Sequence, residues 1–182
     1  MSRPMNFLLM AASGLIVSTS LVHAATPQST TVSFLEHAAE GQWMEMALGQ
    51  MATRQAADEQ VKQFGARMIQ DHKKAGLEIR TLVLNERIEL HAQPLEQHKY
   101  LIAKLSQLSG KEFDRVYMTS MRQAHAQHVK DFGQHSLVEE NMEVRQWAAS
   151  VLPVLKEHLS HAKTIASFLG IEAAASNHKS HQ

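Results

Sequence analysis

An all-α protein built on four long helices is what this sequence predicts, and three observations carry that expectation. Apolar residues recur every three or four positions along four extended segments, the period of a helix face turned toward a core. No segment alternates with the two-residue period of a half-buried strand. Short turns join the first long segment to the second and the third to the fourth, which makes each pair antiparallel.

Along the chain, Met1–Ala24 has the parts of an export signal. Arg3 supplies the positive start, Phe7–Ala12 and Leu15–Val17 the apolar stretch, and Val22-His23-Ala24 the cleavage site. The stretch is too short and too interrupted by Ser and Gly to anchor in a bilayer, so the mature chain is expected to begin at Ala25. Residues 25–32, rich in Ser and Thr, read as a flexible leader. Ser33 with Glu36 reads as a capping box opening a helix from about Phe34 to Thr53. Asp58 is placed to cap a second helix running to about Arg87. Pro94 interrupts the long central connection, and a short extra helix spans Leu95–Leu108 before Ser109-Gly110. The last two long helices are expected from Lys111 to Leu137 and from Glu143 to Leu169, with Gly170 closing the fold. Pro153 should bend the last of them. The domain thus covers 33–170, and 171–182 reads as a disordered tail.

Composition excludes several classes of function. The 18 basic and 18 acidic residues balance, and no basic stripe suits nucleic acid. There is no cysteine, hence no disulfide and no lipoprotein anchor. No later segment is long and apolar enough to cross a membrane as a helix. Phosphate loops, a G-x-S-x-G elbow and His-Glu-x-x-His are missing. The export signal, with no lipid anchor, points to the periplasm or to secretion. No protein partner is indicated, and a homo-oligomer is compatible with the sequence.

The informative break in the pattern is polar. The last helix reads Val144, Ala148, Val151, Leu155, His158, Ala162, Ile165, Leu169 along one face. The second reads Val61, Gly65, Met68, His72, Ala75, Ile79, Leu82, and the third long helix Met118, Met121, His125, Val129, Phe132. Glu45 interrupts the first, between Gly41 and Leu48. A buried imidazole must satisfy two ring nitrogens, so three of them suggest a shared partner. Folding each hairpin at its turn puts His72 ~7.5 Å along from the level of Glu45, and His158 ~4.5 Å along from that of His125. Glu45, His72, His125 and His158 therefore form a candidate site for one transition metal ion, zinc, copper or iron. Without metal, the same four residues would be a buried polar layer. Asp71 and Glu157, each next to a histidine in sequence, point about 100° away and are expected at the surface or behind the ligands. Met46, Met51, Met68, Met118 and Met121 suit gap-filling better than copper ligation. His91, His98, His128, His135, His161, His178 and His181 read as surface residues, and Trp43 and Trp147 as packing anchors. Tyr117 shares the face of Met121, and its hydroxyl needs a partner if buried.

The stretches "EMALGQMA" (Glu45–Ala52), "VKQFGARMIQDHKKA" (Val61–Ala75), "LSGKEFDRVYMTSM" (Leu108–Met121) with His125, and "LPVLKEHLSHA" (Leu152–Ala162) resemble the DUF4142 family of exported bacterial proteins. The resemblance implies a ferritin-like four-helix bundle with Glu45, Asp71, His72, Asp114, Tyr117, His125 and His158 on signature positions, with Asp71, Asp114 and Tyr117 as weaker or supporting candidates. It implies no particular activity. The di-iron pattern asks for Glu-x-x-His on two helices, whereas Ile69 and Leu155 stand three residues before His72 and His158. One ion rather than two is the consequence.

Three functions compete at this point: metal buffering or stress response by an exported binding protein, an envelope interaction module with a polar histidine layer, and a redox enzyme at a single metal.

Overall fold

The computed structural model describes residues 27–91 and 93–171. The expected export signal at Met1–Ala24 and residues 172–182 of the expected tail lie outside the described residues. The described residues form five helices and no strand: α1 (Pro27–Gln55), α2 (Glu59–Asn85), α3 (Glu96–Ser106), α4 (Gly110–Val138) and α5 (Met142–Phe168). No helix among them is long and apolar enough to cross a membrane.

The start of α1 corrects the expectation. The helix begins at Pro27, so most of the supposed leader is helical. Proline is favoured in the first turn, where its missing N–H costs nothing. Thr31 is buried and donates its hydroxyl to Glu139 Oε1 (2.5 Å), tying this end of α1 to the α4–α5 turn. Ser33 and Glu36 lie inside the helix, and no capping box forms. Glu36 Oε1 instead accepts from the backbone N–H of His91 (2.7 Å), and Glu40 accepts from Leu95 N (3.0 Å) and pairs with His98. These two carboxylates hold the central connection against α1.

The other boundaries follow their local chemistry. The Asp58 side chain accepts from Gln60 N at the start of α2, and Asn141 from Val144 N at the start of α5. Helix α5 continues through Pro153 as one helix. It ends where Gly170 takes a φ of 65°, allowing Ile171 N to reach Ala166 O at 2.8 Å.

Helices α1 and α2 pack closely as one hairpin, and α4 and α5 as another; the faces between hairpins touch more sparingly. The tightness of the first hairpin comes from two glycines. A Cβ on Gly65 would lie 2.6 Å from Ala52 Cβ and 2.9 Å from Gly49 O, and one on Gly49 would lie 2.6 Å from Gly65 O. The apolar core falls into two clusters. One contains Leu48, Phe64, Met68, Phe113, Met118, Met121 and Ile165; the other contains Phe34, Leu35, Ile79, Phe132, Trp147 and Leu155. In sequence, each of His72, His125 and His158 falls between members of the two clusters.

Trp147 packs in the second cluster as expected. Trp43 does not: half of it is exposed (50%). It is the neighbour of buried Gln42 and Met44 on a helix whose inward face those residues and Glu45 already occupy. Met51, Met68, Met118 and Met121 fill the first cluster as core side chains.

Candidate metal centre

Four helices each bring one buried polar residue to the seam between the hairpins: Glu45 from α1, His72 from α2, His125 from α4 and His158 from α5. One nitrogen from each imidazole lies within 4.8 Å of those of the other two. Glu45 Oε2 is 2.7 Å from His72 Nε2 and 3.2 Å from His125 Nε2.

Each ring spends its other nitrogen elsewhere. His72 Nδ1 lies 2.6 Å from Gln42 Oε1, His125 Nδ1 lies 2.9 Å from Met121 O, and His158 Nε2 lies 2.8 Å from Asp71 Oδ2. Each outer partner is an oxygen acceptor, so in a neutral ring the outer nitrogen carries the hydrogen and the inner one a lone pair. The inner atoms, His72 Nε2, His125 Nε2 and His158 Nδ1, have no hydrogen-bond partner among the described residues, and neither do both Glu45 oxygens or the Tyr117 hydroxyl. Lone pairs thus face a carboxylate across contacts as short as 2.7 Å. The shortest of these contacts, Glu45 to His72, needs a positive charge between its two atoms, either a shared proton or a metal cation.

The electrostatics agree. Burial alone would raise the Glu45 carboxyl, but the charges of His125 and His72, contact with His72, and the charge of His128 outweigh it and hold the group well below the usual carboxylate range. Burial pushes the imidazoles of His125 and His158 below their ordinary value, against the pull of Glu45 on the first and of Asp71 on the second. An ionised Glu45 and neutral His125 and His158 suit a transition metal, which binds carboxylate and unprotonated imidazole. Fixed outer acceptors on each ring orient the lone pairs, as ligand histidines require. The group could hold a metal ion.

Of the supporting candidates, Asp71 does stand behind His158. Its carboxyl is lowered: burial opposes this, while hydrogen bonds from His158 and Arg67 prevail. Asp114 is not at the centre. Its two oxygens accept from Ala57 N (3.1 Å) and Asp58 N (3.0 Å), closing the turn that leads into α2. Tyr117 is fully buried, stacked on Phe113 with ring centroids 5.5 Å apart. Burial, then the Glu45 charge, push its hydroxyl well above the ordinary phenol value. A neutral hydroxyl without a partner costs about 1–3 kcal/mol. Tyr117→Phe should therefore raise the stability of the metal-free protein by about 1 kcal/mol in urea unfolding. A comparable loss would mean that the hydroxyl has a partner.

Two participants escaped the sequence reading. Gln42 carries no signal of its own, though it lies one helical turn before Glu45 on the same face. His128 was read as a surface residue, yet its Nδ1 is 3.6 Å from Glu45 Oε1. Its position one turn after His125 could have found it. His98 and His135 are also more enclosed than expected, the first paired with Glu40 and the second stacked on Phe34 (3.8 Å) and bound to Glu139 (2.9 Å).

Fold and site together define an all-helical protein with a buried cluster of three histidines and one carboxylate. The chain belongs to the DUF4142 family, whose domain of unknown function matches residues 18–165. No curated protein matches it.

Proposed function

We propose that this is an exported metal-binding protein: a ferritin-like four-helix bundle that holds one transition metal ion between Glu45, His72, His125 and His158 and buffers that metal in the periplasm or outside the cell. One observation carries the reading. The unpartnered atoms of a carboxylate and three imidazoles meet in one buried place, while every ring's second nitrogen is engaged. A proton shared between Glu45 and His72 would still leave Glu45 Oε1 and His158 Nδ1 unpaired, and unpaired buried polar groups are costly. The donor set, three nitrogens and one oxygen, suits zinc, copper(II) or iron(II). Ile69 and Leu155, apolar where a second ion would need carboxylates, favour one ion per chain. Export rests on the charged, apolar and cleavage parts of Met1–Ala24.

Elemental analysis and intact-mass measurement of protein recovered from its native envelope, without chelators, test both parts. The expected result is a chain beginning at Ala25 with close to one equivalent of a single transition metal. A metal-free chain that takes up none of zinc, copper or iron on titration would remove the metal reading and leave the polar layer in its place. A chain retaining Met1 in the cytoplasm would remove export.

A further inference from the structure

The three inner imidazoles have almost no exposed surface, so an arriving ion must first meet some other group. Between α2 and α5 an ion-pair network lies over the centre. Arg67 binds Asp71 (Nε to Oδ2, 3.1 Å) and Glu157 (Nη2 to Oε2, 2.9 Å), and Asp71 holds His158. Toward the α1–α2 turn, Phe64 stands edge-on to His125 and His158, with centroids 6.3 and 6.5 Å away. Apolar core lies beyond it.

The side between α1 and α4 differs. These helices pack loosely compared with either hairpin. A groove of about 760 Å³ runs between them and reaches His72. Its lining includes His37, Glu40, His98, Asp131 and His135, all able to contact a cation, and His128. His128 stands between groove and centre. One edge of its ring faces Glu45 Oε1 at 3.6 Å, its centroid is 5.8 Å from that of His125, and its side chain is 26% exposed. The ring lies beside Gly41, where an added Cβ would sit 3.6 Å from His128 Nε2. The missing side chain leaves that ring room beside α1.

The geometry points to the α1–α4 groove as the entry route for the metal ion, with His128 as a transfer ligand that takes the ion from the groove and passes it to Glu45, His125 and His72. This rests on the metal reading above. The step is ligand exchange. A hydrated divalent ion loses a water to the groove and gains His128 nitrogen; that bond is then replaced by the inner nitrogens as further waters leave. The ion keeps its oxidation state throughout. Without His128 no ligand bridges the groove and Glu45, so the ion must shed more water in a single step before the inner ligands replace it, which raises the barrier. A barrier lies on the path in both directions, so loading and release slow equally while Kd, their ratio, holds.

Cobalt(II), whose visible absorption reports nitrogen ligation, is the probe, with stopped-flow loading of the mature chain and release to a chelator. His128→Ala should slow both rates tenfold or more and move Kd less than threefold. Gly41→Leu, which fills the space beside the ring while keeping the histidine, should slow both as well. Thermal melts of each variant report folding, and either variant suffices if the other unfolds. Unchanged rates would overturn the proposal. So would a Kd raised tenfold with unchanged loading, which would make His128 a standing ligand. If the wild-type chain binds no cobalt, or if His72→Ala and His125→Ala bind it as tightly as wild type, the metal reading itself fails, and the entry route with it.

Discussion

His72→Ala, His125→Ala and His158→Ala should each abolish most of the thermal stabilisation that zinc or copper gives the wild-type protein. A ligand bound only by the folded state adds RT ln(1 + [L]/Kd), or ~2.7 kcal/mol at a hundredfold excess over Kd. For a chain of this size that corresponds to roughly 5–11 °C in Tm. Each variant removes one donor from a set drawn from four helices, so the ion loses a ligand and the helices lose a cross-link. His91→Ala, in the exposed central connection, should leave the shift intact. If all three core variants keep the full shift, the ion is bound elsewhere.

The same melts carry a pH signature. Burial lowers His125 and His158 from the ordinary value of 6.5, so the unfolded chain binds protons more readily than the folded one. Stability from these two groups is complete above about pH 6.5 and is lost as pH falls from there toward the lowered folded values. Glu45, also lowered, stays ionised throughout this window. The metal-free Tm should therefore drop between pH 7.5 and 5.5. The metal-induced shift should fade over the same range, since protons compete for the imidazole lone pairs. A metal-free Tm that rises on acidification would contradict the buried, neutral assignment.

The second large effect concerns the first hairpin. Gly65→Ala should destabilise the protein by about 1–3 kcal/mol, as overpacking of a close contact does. The added methyl would meet Ala52 Cβ at 2.6 Å and Gly49 O at 2.9 Å, so α1 and α2 must move apart along a closely packed face. Gly133→Ala, inside α4 toward its C-terminal end with nothing within 4 Å of the new atom, should stabilise by about 0.5–1 kcal/mol through helix propensity alone. Urea unfolding of the two variants thus yields opposite signs from one chemical change. A Gly65→Ala protein as stable as Gly133→Ala would refute the close approach.

What the sequence made legible is what periodicity encodes. The inward faces of the second, fourth and fifth helices, the Asp58 cap, the Gly170 stop and the convergence of Glu45 with three histidines all follow from spacing along single helices. What stayed hidden depends on partners distant in sequence. Thr31 is helical and buried because Glu139, 108 residues on, accepts its hydroxyl. Asp114, placed with the site by family signature, serves a turn between two other helices. His128 lies off the regular apolar stripe and becomes a neighbour of Glu45 through the loose approach of α1 to α4. Trp43 shows the converse: a large aromatic is no guide to burial when its helix has already turned other residues inward.

The placement of the polar layer between two apolar clusters also sets the alignment of the hairpins. Two greasy helical faces can slide past each other by one turn, about 5.4 Å, and still bury similar hydrocarbon. Here such a slip would carry the Glu45 carboxylate away from His125 and toward methionine and phenylalanine side chains of the neighbouring layer. His72, on the same hairpin, would move with it, but the pair would lose His125 and His158 and sit against hydrocarbon, where a buried charge short of partners is costly. The α1–α2 and α4–α5 hairpins therefore have one register that keeps charge opposite imidazole, and the protein can find it before any ion arrives.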